Sequence, residues 1–155
     1  MKKYRVLLAD DHALVRAGIH NAVDKIESME IVGEAKDGPT LMAALNSLKP
    51  DILLIDVTMP NFEPISAIDS IRIMYPQMKI LVISAYDDDV YVQGLLGLGV
   101  NGYHLKDQPL QDLSLAIERI IAGERWISSP LIEKLLKSQP SQDAIPSLTS
   151  RQRDI

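Results

Sequence analysis

Ile52-Leu53-Leu54-Ile55-Asp56 decides how this chain is read: four apolar residues without a polar break, closed by a carboxylate. A run with no polar position on either face fits a strand covered on both sides in a parallel sheet. The same pattern recurs at Arg5-Val6-Leu7-Leu8-Ala9 before Asp10-Asp11, at Lys79-Ile80-Leu81-Val82-Ile83 before Ser84, and at Gly102-Tyr103-His104-Leu105 before Lys106. Met29 to Glu34 adds another strand, and helical patterns separate them all. Repeated strand-helix units imply an α/β fold with a five-stranded, doubly wound parallel sheet. Ligands of such sheets bind beyond the carboxyl ends of the strands where strand order reverses, so Asp10, Asp11, Asp56, Ser84 and Lys106 are expected to converge. Acids can hold a hard divalent cation and one can act as nucleophile, while an ammonium and a hydroxyl receive a transferred anion. That set suits phosphoryl transfer.

The helices follow from spacing. Leu14, Val15, Ala17, Ile19, Ala22, Val23 and Ile26 recur as one face of a first helix, and Leu41, Ala44, Leu45 and Leu48 as that of a second. Pro64 opens a third, with Ile65, Ile68, Ile71 and Met74 turned inward until Tyr75-Pro76 ends it. A fourth, from about Asp87 to Leu98, has Gly94, Gly97 and Gly99 crowding its second half. Each interior glycine costs roughly 0.5–1 kcal/mol relative to alanine, so this helix is expected to be weak. Leu113, Ile117, Ile120 and Ile121 make the fifth, Leu110 to Ala122, firmly amphipathic, and Leu131 to Leu136 reads as a short helix. Residues 138–147 hold Pro140, Pro146 and three serines, the composition of a linker.

With 155 residues, the chain has room for one domain with a real core and a short appendage. Hydrophobic residues at 46% and charged residues at 24% are globular values, and no apolar run reaches the roughly 20 residues of a membrane span. The apolar stretch after Lys2-Lys3 is cut short by Asp10-Asp11, which argues against a signal peptide and for a cytoplasmic protein. Zero cysteines exclude disulfides, thiolate metal sites and cysteine nucleophiles. A net charge of -5 argues against non-specific nucleic-acid binding by these residues, which needs a basic face.

The ordered set Asp10-Asp11-His12, Arg16, Gly18, Asp56-Val57-Thr58-Met59-Pro60, Ser84-Ala85 and Gly102-Tyr103-x-x-Lys106-Asp107 resembles the receiver domain of a two-component response regulator of the NarL/FixJ (LuxR-type) subfamily. The resemblance implies a flavodoxin-like sheet of strand order 2-1-3-4-5 with a short C-terminal helical extension. It divides the chain into a receiver domain at 1–124, a short helix and linker at 125–147, and at 148–155 the opening of a LuxR-type helix-turn-helix, whose DNA-reading helices fall beyond the sequence. It further implies that Asp56 accepts a phosphoryl group from a sensor histidine kinase. Asp11 and Asp56 would ligate Mg²⁺ directly, Asp10 through water and Thr58 through its backbone carbonyl. Lys106 would neutralise the phosphoryl group and Ser84 would donate to it. Tyr103 would be the rotamer switch coupled to Ser84, and Thr58 and Tyr86 would set how fast water reaches the acyl phosphate. Partners implied are the kinase, a second copy of the chain as a dimer, and DNA through the helix-turn-helix; no membrane is implied.

Each residue has a plainer reading. An isolated Asp-Asp pair is more often a helix N-cap, Lys106 an exposed strand-end lysine, Ser84 a turn residue and Tyr103 a half-buried strand aromatic. Two other functions compete with the leading one. A Mg²⁺-dependent phosphohydrolase of the haloacid-dehalogenase kind also uses a strand-end Asp nucleophile, but needs an acid two residues later, where this chain has Thr58. A phosphorylation-independent dimerisation module needs none of the acids. The chain departs from the family pattern at His104, at Pro64, where Gly is usual, and in having Asp107 rather than Pro after Lys106. His12 and His104 are expected at different depths of the sheet, which speaks against a zinc site.

Overall fold

The computed structural model describes residues 3–85, 88–128, 130–132 and 136. Strands β1 (Tyr4–Ala9), β2 (Met29–Ala35), β3 (Ile52–Ile55), β4 (Lys79–Ser84) and β5 (Gly102–Leu105) alternate with helices α1 (Ala13–Asp24), α2 (Gly38–Leu48), α3 (Pro64–Met74), α4 (Asp89–Gly97) and α5 (Gln111–Ile121). All pair in parallel in the order β2-β1-β3-β4-β5, as the family resemblance implies. A sixth strand, β6 (Trp126–Ile127), extends the sheet beyond β5, with Gly102 opposite Trp126 and Tyr103 opposite Ile127. The sequence reading placed a helix and linker from residue 125. Two residues are too few to show a period of two, and β6 exists through its neighbour: a Cβ at Gly102 would come 2.8 Å from the Trp126 carbonyl oxygen. Beyond β6, residues 130–132 and 136 are helical, beginning one residue ahead of the expected Leu131–Leu136 helix; residues 137–155, with most of the linker and the helix-turn-helix opening, lie outside the described residues.

Alternation along the strands sends side chains to two cores. Leu7, Leu53, Ile55, Ile80, Val82 and Tyr103 face α2, α3 and α4, while Val6, Leu8, Leu54, Leu81 and Ile83 face α1 and α5. The helix faces read from spacing need four corrections. Leu14 is 89% exposed, and Ala17, Ile65 and Met74 also face solvent, whereas Ile19, Val23, Ile68 and Ile71 are buried. A three-and-four spacing admits a stripe wide enough to include flanking positions, and only the sheet decides which of them it covers. Pro64 is accommodated without strain. It occupies the first position of α3, where no N–H is needed, and Glu63 before it accepts the Ser66 N–H at 3.0 Å.

Candidate functional site

Chain reversal places the acids. From β1 the chain crosses to β2 on one side, then to β3 on the other, and Asp10 and Asp56 stand at that switch. The Asp10 N–H donates to Ala35 O at 3.0 Å and the Asp56 N–H to Ala9 O at 2.9 Å, fixing both against the sheet. Each residue is only 1% exposed, so their carboxylates need partners in place of water.

Those partners come from three loops. Lys106 Nζ lies 2.9 Å from Asp56 Oδ2 and 3.1 Å from Asp10 Oδ2. Thr58 donates its N–H at 3.0 Å and its hydroxyl at 2.8 Å to Asp56 Oδ1, so both oxygens of that carboxylate are held. Asp10 Oδ1 accepts the His12 N–H at 2.8 Å, and it is His12, with no side-chain cap bond, that precedes α1. The Asp-Asp pair is thus not an N-cap. Burial alone would lower the Lys106 pKa, but the hydrogen bond to Asp56 and the negative charge of Asp56 and Asp10 outweigh it and hold it above the ordinary lysine value.

Two carboxylate oxygens remain without a hydrogen-bond donor: Asp10 Oδ2, which Lys106 approaches off the hydrogen-bond direction, and Asp11 Oδ1. Both are buried. Buried anionic oxygens without a hydrogen bond, at a cluster of acids, are what a hard divalent cation satisfies, so the donor set fits Mg²⁺. Asp10, Asp11, Asp56 and His12 each bring a ligand atom within 4.8 Å of the others. His12 is the residue the sequence reading left out of the site: its Nδ1 is 3.3 Å from Asp10 Oδ1, 3.1 Å from Asp11 Oδ1 and 4.0 Å from Asp56 Oδ2. Adjacency to the Asp pair at the start of a helix was the available signal. His104 is elsewhere, on the α1–α5 face, as its opposite parity to Tyr103 demands.

Ser84 and Lys106 are joined through the backbone, the Lys106 N–H donating to Ser84 O at 2.9 Å. Tyr103 pairs with Val82 and Ser84 with Leu105, which puts the Tyr103 and Ser84 side chains on the same face of the sheet. Tyr103 is fully buried there, in the core that also holds Val92 and Leu95 of α4. The half-buried aromatic does not describe it; the ring lies fully inside. Tyr86 lies outside the described residues.

Residues 6–118 match the response regulator receiver domain family. Response regulator GacA of Pseudomonas aeruginosa is 35% identical over 153 residues, covering 97% of this chain and 72% of its own. The isolated receiver domain of RcsB from Salmonella enterica serovar Typhimurium, in the presence of the phosphomimetic BeF3-, superposes with a TM-score of 0.81 at 27% identity, over 86% of this chain and 99% of that one. RcsB in a structure of two dimers bound to two parallel DNAs gives a TM-score of 0.82 at 27% identity, over 88% and 69% respectively. No helix among the described residues is long and apolar enough to cross a membrane. Strand order, acidic switch point and these likenesses agree: the chain belongs to the response regulators of two-component systems, its matched part being their receiver domain, a phosphoacceptor module rather than a classical enzyme.

Proposed function

We propose that Asp56 is the phosphoryl acceptor, that its donor is a sensor histidine kinase, and that the modified receiver dimerises and controls a C-terminal DNA-binding domain. The observation that carries this is the grip on Asp56: Lys106 on one oxygen, Thr58 on the other, and the unsatisfied oxygens of Asp10 and Asp11 beside it. An Asp56 oxygen forms the new bond to phosphorus as the bond from phosphorus to the donor's imidazole nitrogen breaks, leaving an acyl phosphate and a neutral imidazole after protonation. Held in one orientation, the carboxylate needs little further positioning, which is most of what a phosphoryl transfer asks of a protein. Asp10, Asp11, Asp56 and the Thr58 carbonyl would hold Mg²⁺, which when bound neutralises charge on the phosphoryl oxygens.

Lys106 then exchanges part of its pairing with Asp56 for the phosphoryl oxygens, and Ser84 donates to one of them. The phosphoryl group's charge of about -1.5 to -2, in place of the single charge of the carboxylate, drives this. Tyr103, between that strand end and α4, repacks in response and shifts α4. A dimer is the expected consequence, as RcsB forms with DNA. Thr58 and Tyr86 are assigned to tuning the acyl phosphate's lifetime.

Incubation with acetyl phosphate and Mg²⁺, followed by intact mass, tests the assignment. The wild type gains one phosphoryl group; Asp56→Asn and wild type in excess EDTA gain none. A persisting mass gain in either would remove Asp56 or the cation from the mechanism.

A further inference from the structure

The segment after α5 is bonded to both β5 and α4. Trp126 N–H donates to Asn101 O and Ser128 N–H to Tyr103 O, both at 3.1 Å, which fastens β6 to β5. The next donor on that edge, Leu105 N–H, is taken at 3.0 Å by the hydroxyl of Ser128, a residue only 2% exposed. One residue before β6, Arg125 donates from Nη2 to Leu96 O and Val100 O, both at 3.0 Å, and so ties the C-terminal end of α4 to the same edge. Beyond β6, Leu131 donates its N–H to Ser128 O at 2.9 Å. Its side chain is 1% exposed, in the core that holds Tyr103, Val92 and Leu95. Pro130, Ile132 and Leu136 are exposed, so among the described residues of that helix Leu131 alone is docked.

One short segment thus grips two elements of unequal stiffness. β6 and Ser128 are hydrogen-bonded to β5, a strand of a continuous parallel sheet. Arg125 holds only the far end of α4, and Gly94 lies between that end and Val92. A displacement of α4 therefore turns about its Arg125-held end and is largest toward Val92. Close packing gives Leu131 no way to stay seated while Val92 and Leu95 move; it follows them or loses its contacts.

We propose that residues 125–132 are a strap that reads α4: anchored on β5 by β6 and Ser128, it registers movement of Val92 and Leu95 through Leu131 and passes it to the chain that follows. The pivot falls after Ser128, where the bonds to β5 end and the contact with the α4 core begins. Coupling of this strap to Asp56 rests on the functional reading above; the seating of Leu131 against the α4 core does not.

Hydrogen exchange of the whole chain tests both parts. With beryllofluoride and Mg²⁺, the amides of Leu131 and Ile132 should change protection together with those of α4, while Trp126 and Ser128 keep theirs. Leu131→Ala, with no phosphoryl mimic present, should speed exchange in α4 about tenfold and leave α5 unchanged, which also shows that the variant is folded. An α4 response to beryllofluoride that leaves Leu131 and Ile132 unmoved would overturn the strap and spare Asp56 as acceptor. No response at any residue would count against Asp56 instead, and the strap is then decided by Leu131→Ala alone. Exchange in α4 that is unchanged in that variant, or accelerated no more than in α5, would overturn it.

Discussion

α4 and α5 flank the same strand on opposite faces. α5 spans 11 residues without a glycine and lays Leu113, Ala116, Ile117 and Ile120 against the sheet, the last turn carrying Arg119 where a cation suits the helix dipole. α4 spans nine residues, buries Val92 and Leu95, and has Gly94 and Gly97 within it. At its far end Arg125 Nη2 donates to Leu96 O and Val100 O, both at 3.0 Å, so a guanidinium from outside the helix finishes it. The pair teaches where this fold can move. Tyr103 points to the glycine-bearing helix and His104, its neighbour, to the glycine-free one, so one strand carries a side chain for each face.

The largest way to break this contrast is Ile117→Ala. Removing a buried branched side chain from a helix that has no local escape should cost about 2–5 kcal/mol of global stability. Denaturant unfolding measures it. Amide protection in α5 should fall by the same amount, while protection in α4, set by local opening, should stay nearly unchanged. Equal losses in both helices would show that α4 opens only with the whole domain.

A smaller effect separates the site from both helices. Because the Lys106 pKa is raised in the folded protein, its ion pairs contribute fully below the unfolded-state lysine value, and the contribution is lost as pH climbs through the higher folded-state value. Wild type should therefore lose about 1–2 kcal/mol across that alkaline window, the size of a charge-assisted hydrogen bond discounted for partial solvent screening. Lys106→Met, followed by denaturation from neutral to alkaline pH, should lack this loss. An identical alkaline limb in the variant would place the titration on another group.

The smallest effect sharpens the comparison most. A Cβ at Gly97 meets nothing within 4 Å, so Gly97→Ala should stabilise α4 by about 0.5–1 kcal/mol and slow its exchange. Gly99→Ala should do the reverse, since Gly99 has a φ of +96° beyond the helix end. Both variants are read by hydrogen exchange of α4. Opposite signs at two glycines two residues apart would show that α4 is weak from its interior and not from its cap.

That distinction also marks what the sequence carried. Gly94, Gly97 and Gly99 read alike as helix-weakening residues, but Gly99 follows the helix and suits its turn. The apolar runs ending in Asp56, Ser84 and Lys106 announced the sheet and site because burial on both faces leaves no polar position to blur the strand. Short-range pattern could not announce β6, which rests on its pairing with β5, nor that Leu14 and Ile65 lie outside the covered stripe. His12 enters the site because α1 begins there and turns the imidazole back over the acids, a loop geometry that spacing does not contain. Tyr103 could be placed on the Ser84 face by parity alone, yet its depth depends on α4 closing over it.

Hydrogen exchange with and without beryllofluoride and Mg²⁺ tests the central claim most directly: occupancy at Asp56 is felt through Ser84 and Tyr103 by α4, and not by α5. Protection should change most between residues 84 and 106, while amides of α2 and α5 keep theirs; in Ser84→Ala the Asp56 loop should still respond but α4 should not. Changes confined to the Asp56 loop, an α5 response as large as that of α4, or a Ser84→Ala protein indistinguishable from wild type would contradict it.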